Sequence, residues 1–199
     1  MNMKKRMLSI VLSGAMAVST AVSAGSFGAF AVAQCVAYSG SNVNDQDYVQ
    51  WSDTVKSYLT VCDNGNYMRV QSGAIEGKLL VEYYSSDFEP LSTKLIDNEL
   101  PIFGAFYDSG NNYYVLSGQE NPKQNDSLEV FRITKYDKNW NKIKSCGLYG
   151  ANTTVPFDAG SARMTHSGDH LLVRTCHEMY KSSDGNNHQA NVTIEVDMP

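Results

Sequence analysis

An all-β chain built from repeated antiparallel units is what this sequence predicts, and three observations predict it. A strand, a glycine-centred turn and a second strand recur at Cys62-Asp63-Asn64-Gly65-Asn66-Tyr67, at Tyr107-Asp108-Ser109-Gly110-Asn111-Asn112-Tyr113 and at Thr165-His166-Ser167-Gly168-Asp169-His170. Their glycines lie 45 and 58 residues apart, at or just beyond the roughly 40–50 residues of a propeller blade. Between them runs a second unit: Lys78-Leu79-Leu80-Val81-Glu82-Tyr83-Tyr84-Ser85-Ser86-Asp87 aligns with Leu128-Glu129-Val130-Phe131-Arg132-Ile133-Thr134-Lys135-Tyr136-Asp137. Each copy turns at an aspartate and resumes, through Leu91–Leu95 and Lys142–Ser145, and a third copy, Ala190–Asp197, stops at that aspartate. Finally, Val192, Ile194 and Val196 alternate with Asn191, Thr193 and Glu195, the period of two of a half-buried strand. The expectation is a partial β-propeller of about three antiparallel blades, the last incomplete, in a chain that reads as the N-terminal part of something longer.

Taken in order, the chain opens with Lys4, Lys5 and Arg6 and then an uncharged run from Met7 to Ala24. A basic start, an apolar middle and a small-residue cut site describe a secretory signal peptide. Residues 1–33 are assigned to it, with cleavage after Ala24 or after Ala33. The glycines at 14, 25 and 28 and the many Ser and Ala residues make the segment a poor membrane anchor, although its length exceeds the ~20 residues a spanning helix needs. A lead-in segment covers 34–57 and the repeats cover 58–199. Asn-Gly and Ser-Gly steps suit two-residue hairpin turns, which need positive φ angles that glycine reaches cheaply. The expected setting is secreted or at the cell surface, with no stable membrane insertion after cleavage.

Charge and cysteines narrow the function classes. Lys4, Lys5 and Arg6 leave with the leader, so 13 basic residues stand against 21 acidic ones, a balance of −8. Nucleic acid wants a clustered basic face and is not an expected partner; the basic run from Lys135 to Lys144 is broken by Asp137 and spread over a strand and a turn. Cys35, Cys62, Cys146 and Cys176 permit three pairings. Cys35 with Cys62 and Cys146 with Cys176 are the most local. Cys62, framed by Leu59 and Val61, and Cys176, after Leu172-Val173, equally fit small buried apolar residues.

The richest polar stretch is Arg174-Thr175-Cys176-His177-Glu178-Met179-Tyr180, followed by a loop and by His188-Gln189-Ala190-Asn191. A hairpin over these residues makes Arg174, His177, Glu178, Tyr180, His188 and Asn191 the candidate ligand-binding set. All four histidines fall between 166 and 188, but their spacing matches no zinc signature; no metal and no cofactor are expected. Cys176 and His177 are adjacent on a strand and face apart, whereas a nucleophile needs its base within hydrogen-bond reach. No two carboxylates are placed as a glycosidase pair would be, so no catalytic residue is assigned. Tyrosines at 83, 84, 113 and 114 leave one ring of each pair free for sugar or protein contact.

On its strand units, glycine turns and the Arg174–Asn191 hairpin, the chain resembles secreted β-propeller proteins of Gram-positive bacteria over about Tyr58 to Met198. The resemblance implies further blades, an extracellular setting and a binding or scaffolding role. The expected function is therefore an exported binding or interaction module for a glycan or protein; the alternative is a polysaccharide-active enzyme with its site on the channel face.

Overall fold

The computed structural model of the protein describes residues 54–158 and 162–199. The signal peptide, its cut sites and Cys35 lie outside the described residues, and with Cys35 goes the Cys35–Cys62 pairing. Among the described residues every regular element is a strand: β1 (Ser57–Val61), β2 (Tyr67–Ile75), β3 (Lys78–Tyr84), β4 (Pro90–Asp97), β5 (Ile102–Asp108), β6 (Tyr113–Gly118), β7 (Glu129–Tyr136), β8 (Lys142–Tyr149), β9 (Thr153–Pro156), β10 (Arg163–Ser167), β11 (His170–Lys181) and β12 (Asn187–Asp197). They form three four-stranded sheets in the succession expected of blades. The all-β expectation of about three antiparallel blades holds.

The chain divides into two compact units. In the smaller, β1-β2-β3-β4 form one meander. Met68, Val70, Leu79, Leu80 and Val81 are buried, and because β3 is buried on both faces over Leu79–Glu82 it places a carboxylate in the interior. Glu82 lies directly opposite Arg69, whose Nε donates to it at 2.5 Å while the Tyr84 hydroxyl donates to its other oxygen at 3.0 Å. Two donors and an opposite charge are what a fully buried carboxylate requires. Leu59 and Val61 are 63% and 62% exposed. The apolar frame expected around Cys62 is thus turned outward, because β1 is an edge strand whose face at these positions is uncovered.

The larger unit holds two sheets. One is the meander β5-β6-β7-β8; in the other, β12 pairs along one side of β11 while β10 and β9 share the opposite side in succession. This sheet is three strands wide. It is keyed to its neighbour by Phe157, just after β9: a Cβ on Gly104 would stand 2.4 Å from the Phe157 ring and one on Gly118 2.8 Å from it. Glycine is needed at both positions to let the ring lie on the backbone. Phe131 closes the contact edge-on at 5.5 Å.

Four hairpins use one turn. The first residue's N–H donates to the carbonyl four residues on, and the fourth residue's N–H returns to the first carbonyl, at Cys62–Asn66, Ser85–Glu89, Asp137–Asn141 and Ser182–Asn186. This is the type I turn with a bulge, whose fourth residue must take a positive φ. Gly65 and Gly185 fill it, but so do Phe88 and Trp140, each at φ 63°. Trp140 is buried among Phe106, Tyr113 and Tyr136 at ring distances of 4.8–5.7 Å, and that packing offsets the ~1–2 kcal/mol a left-handed residue costs.

The common turn corrects the alignment of the interleaved units. Ser85, not Asp87, is the counterpart of Asp137, since each accepts two N–H groups into the turn, Ser85 Oγ from Asp87 and Glu89, and Asp137 Oδ1 from Asn139 and Asn141. Of the three glycine turns expected to have two residues, Ser167–His170 does; Asp108–Tyr113 and Val61–Tyr67 enclose four and five residues between paired positions.

Candidate functional site

The six residues of the expected site share one hairpin and divide among three surroundings. β11 alternates strictly, with Leu171, Val173, Thr175 and His177 buried. Arg174 and Asn191 therefore lie on the uncovered face, where Arg174 Nη1 donates to Thr193 Oγ1 at 2.8 Å and Asn191 Oδ1 accepts from Cys176 Sγ at 3.2 Å. Cys176 and Cys146 are free thiols, so their pairing is not present, and Cys176 is half-buried rather than a core residue. His177 faces inward, 6% exposed, with Nδ1 2.6 Å from Thr153 Oγ1; burial lowers its pKa from 6.5.

Glu178 and Tyr180 turn toward neighbouring segments. Thr154 donates to Glu178 Oε1 at 2.6 Å. The Tyr180 hydroxyl accepts from Asn121 Nδ2 at 2.9 Å, and burial, followed by the Asp126 carboxylate, raises its pKa. Asn121, fully buried, also accepts from the Asn125 N–H and donates to the Asn125 carbonyl, so Tyr180 anchors the 119–128 loop. His188 lies at the turn, Nε2 2.8 Å from Asp184 Oδ2. The Ser182 hydroxyl, then the Asn186 N–H and His188, hold the Asp184 carboxyl well below the usual range. His166 and His170 have other partners again, Tyr107 and the Glu195 and Asp197 carboxylates. The histidines that cluster in sequence are apart in structure.

A second group of polar residues does converge. The register of β5–β8 places Tyr107, Tyr114, Lys135 and Lys144 directly opposite one another in a single row across the sheet. Opposed residues of an antiparallel pair share a face, and this face looks onto the other sheet of the unit. Tyr107 OH meets His166 Nδ1 at 2.7 Å. Tyr114 is 3% exposed and burial raises its pKa; its hydroxyl has no hydrogen-bond partner among the described residues, yet is not sealed from solvent. Lys135 Nζ donates to the Met198 carbonyl at 2.5 Å, and Lys144 Nζ reaches the Pro199 carbonyl.

The row floors a cleft of about 370 Å³, walled on its far side by Glu195, Val196 and Asp197. Sequence reasoning passed over it because the Lys135–Lys144 stretch looks like a solvated strand face. The turn alone does not reveal it: Tyr136 pairs with Lys142, which would set Lys135 against Ile143, and a register shift beside them brings Lys144 opposite instead.

No protein-family model matches the chain, and no curated protein matches it. Among solved structures it is similar to the GH43 β-1,3-galactosidase BT3683 with galactodeoxynojirimycin, at 12% identity and a TM-score of 0.39, covering 73% of this chain and 43% of that one. It is similar to the GH43 β-1,3-galactosidase BT0265 at 10% identity and a TM-score of 0.40, covering 71% and 31%. It is also similar to Drosophila Plexin A in complex with Semaphorin 1b, at 11% identity and a TM-score of 0.35, covering 70% and 40%. The chain spans less than half the length of each of these structures.

Proposed function

We propose that the protein is an exported binding module that takes a glycan or a protein ligand at the cell surface, and that its ligand enters the cleft floored by Tyr114, Lys135 and Lys144. The observation that carries this reading is concavity joined to convergent polar groups. The cleft's volume of about 370 Å³ is in the range of ligand sites, which join a largely apolar lining to a few placed polar groups. The β11–β12 turn, by contrast, is exposed over 181–189 and offers a convex edge.

A glycan array probed with the purified full chain tests the reading, with reaction products assayed on the bound spots. Retention without product is the expected result, lost when Tyr114 and Lys144 are both replaced by alanine. Release of shortened glycan would make the protein an enzyme instead. Retention that survives this double change but fails on His188→Ala would return the site to the hairpin. Export is tested by N-terminal sequencing of secreted material, expected to begin at Gly25 or Gln34.

A further inference from the structure

We propose that the row Tyr114–Lys135–Lys144 is an anion site, and that the ligand of the binding reading above, on which this rests, carries carboxylate or phosphate groups along an extended chain. Like charges set directly opposite on paired strands destabilise a sheet, and Lys135 and Lys144 are so placed. Neither has an acidic side-chain partner among the described residues; Lys135 meets the Met198 carbonyl, and Lys144 an oxygen of Pro199, the last residue of this sequence. An ammonium has three donors, so two on each lysine remain for a ligand.

Tyr114 is the independent observation. The Tyr114 ring is buried, with the residue 3% exposed, while its hydroxyl opens to the cleft with no partner among the described residues, next to Lys135 in the row; it is placed to donate to a ligand there. Together the three side chains make a line of donors at the strand spacing of about 5 Å, suited to an extended ligand with acceptors at regular intervals. The carboxylates on the far wall, Glu195 and Asp197, are 62% and 82% exposed and both reach His170 Nδ1, at 2.9 and 3.2 Å. They face solvent and a histidine rather than the lysine row, so an anion on the floor meets donors first.

Calorimetric titration of the full chain with oligogalacturonate, with sodium tripolyphosphate and with a neutral xylo-oligosaccharide tests the site and separates its two sources of negative charge. Saturable binding is expected for one of the two anions, weakening steeply as salt is raised. Losing hydrogen bonds to a charged group costs about tenfold in affinity or more, so that drop is expected for Lys135→Gln with Lys144→Gln. A several-fold drop is expected for Tyr114→Phe, which removes only the hydroxyl, and none for Lys123→Gln on the exposed 119–128 loop. Near-ultraviolet dichroism checks that each variant is folded. Equal affinity for the neutral sugar, or lysine and tyrosine variants that bind both anions as before, overturns the proposal. Binding of the neutral sugar alone removes the anion inference and leaves the binding reading standing; silence toward all three probes and on the array removes both.

Discussion

Thr153 decides the state of His177. The threonine hydroxyl has one proton, and it donates this to the Ala151 carbonyl at 2.9 Å. The contact with His177 Nδ1 at 2.6 Å must then carry the histidine's own proton, so the neutral ring is the Nδ1–H tautomer with Nε2 bare. Protonation would put a charge in a site that is 6% exposed, and burial accordingly lowers the pKa from 6.5. The unfolded chain therefore binds a proton more readily than the folded one, and stability falls as pH drops below about 6.5. Above that value the contribution is level. Urea unfolding at pH 7.5, 6.5 and 5.5 is expected to show this loss, and His177→Gln, which keeps a donor but cannot titrate, is expected to flatten it. An unchanged slope in the variant would mean that other groups set the dependence.

At the scale of elements, one ring lying over two glycines keys the third sheet to the second, beside the Tyr107–His166, Asn121–Tyr180 and Lys135–Met198 contacts. Gly104→Ala forces its new methyl into Phe157, and such overpacking costs about 1–3 kcal/mol. In a Phe157→Leu background, where the ring is gone, most of that cost is expected to vanish; a chemical-denaturation double-mutant cycle measures the coupling. Additive effects would show that the ring and the glycine do not act together. This keying could not be read from the sequence, because it joins residues 39 and 53 positions apart and its marker, a glycine within a strand, equally signals a bulge. The strands themselves were legible from alternation and turn chemistry. The two-position offset between Asp87 and Asp137 has a chemical cause: serine and aspartate do the same work at the head of this turn, accepting two backbone N–H groups, and Ser85 is the less conspicuous of the two in sequence.

At the scale of the whole molecule, fold and candidate site depend on the same register. The hairpin site expected from polarity alone scattered, because strand alternation sends His177 inward and Arg174 outward, and composition says nothing of which face a neighbour covers. The cleft residues form a row because Tyr107, Tyr114 and Lys135 pair in register and a shift between Lys135 and Tyr136 brings Lys144, not Ile143, into line, a property of strand pairing rather than of any motif. Cross-strand nuclear Overhauser contacts measure that register most directly. Paired positions are expected between Tyr114 and Lys135 and between Lys135 and Lys144. A shift by one residue, setting Tyr114 against Thr134 or Tyr136, would turn the tyrosine to the opposite face from the lysines and contradict both the sheet and the site.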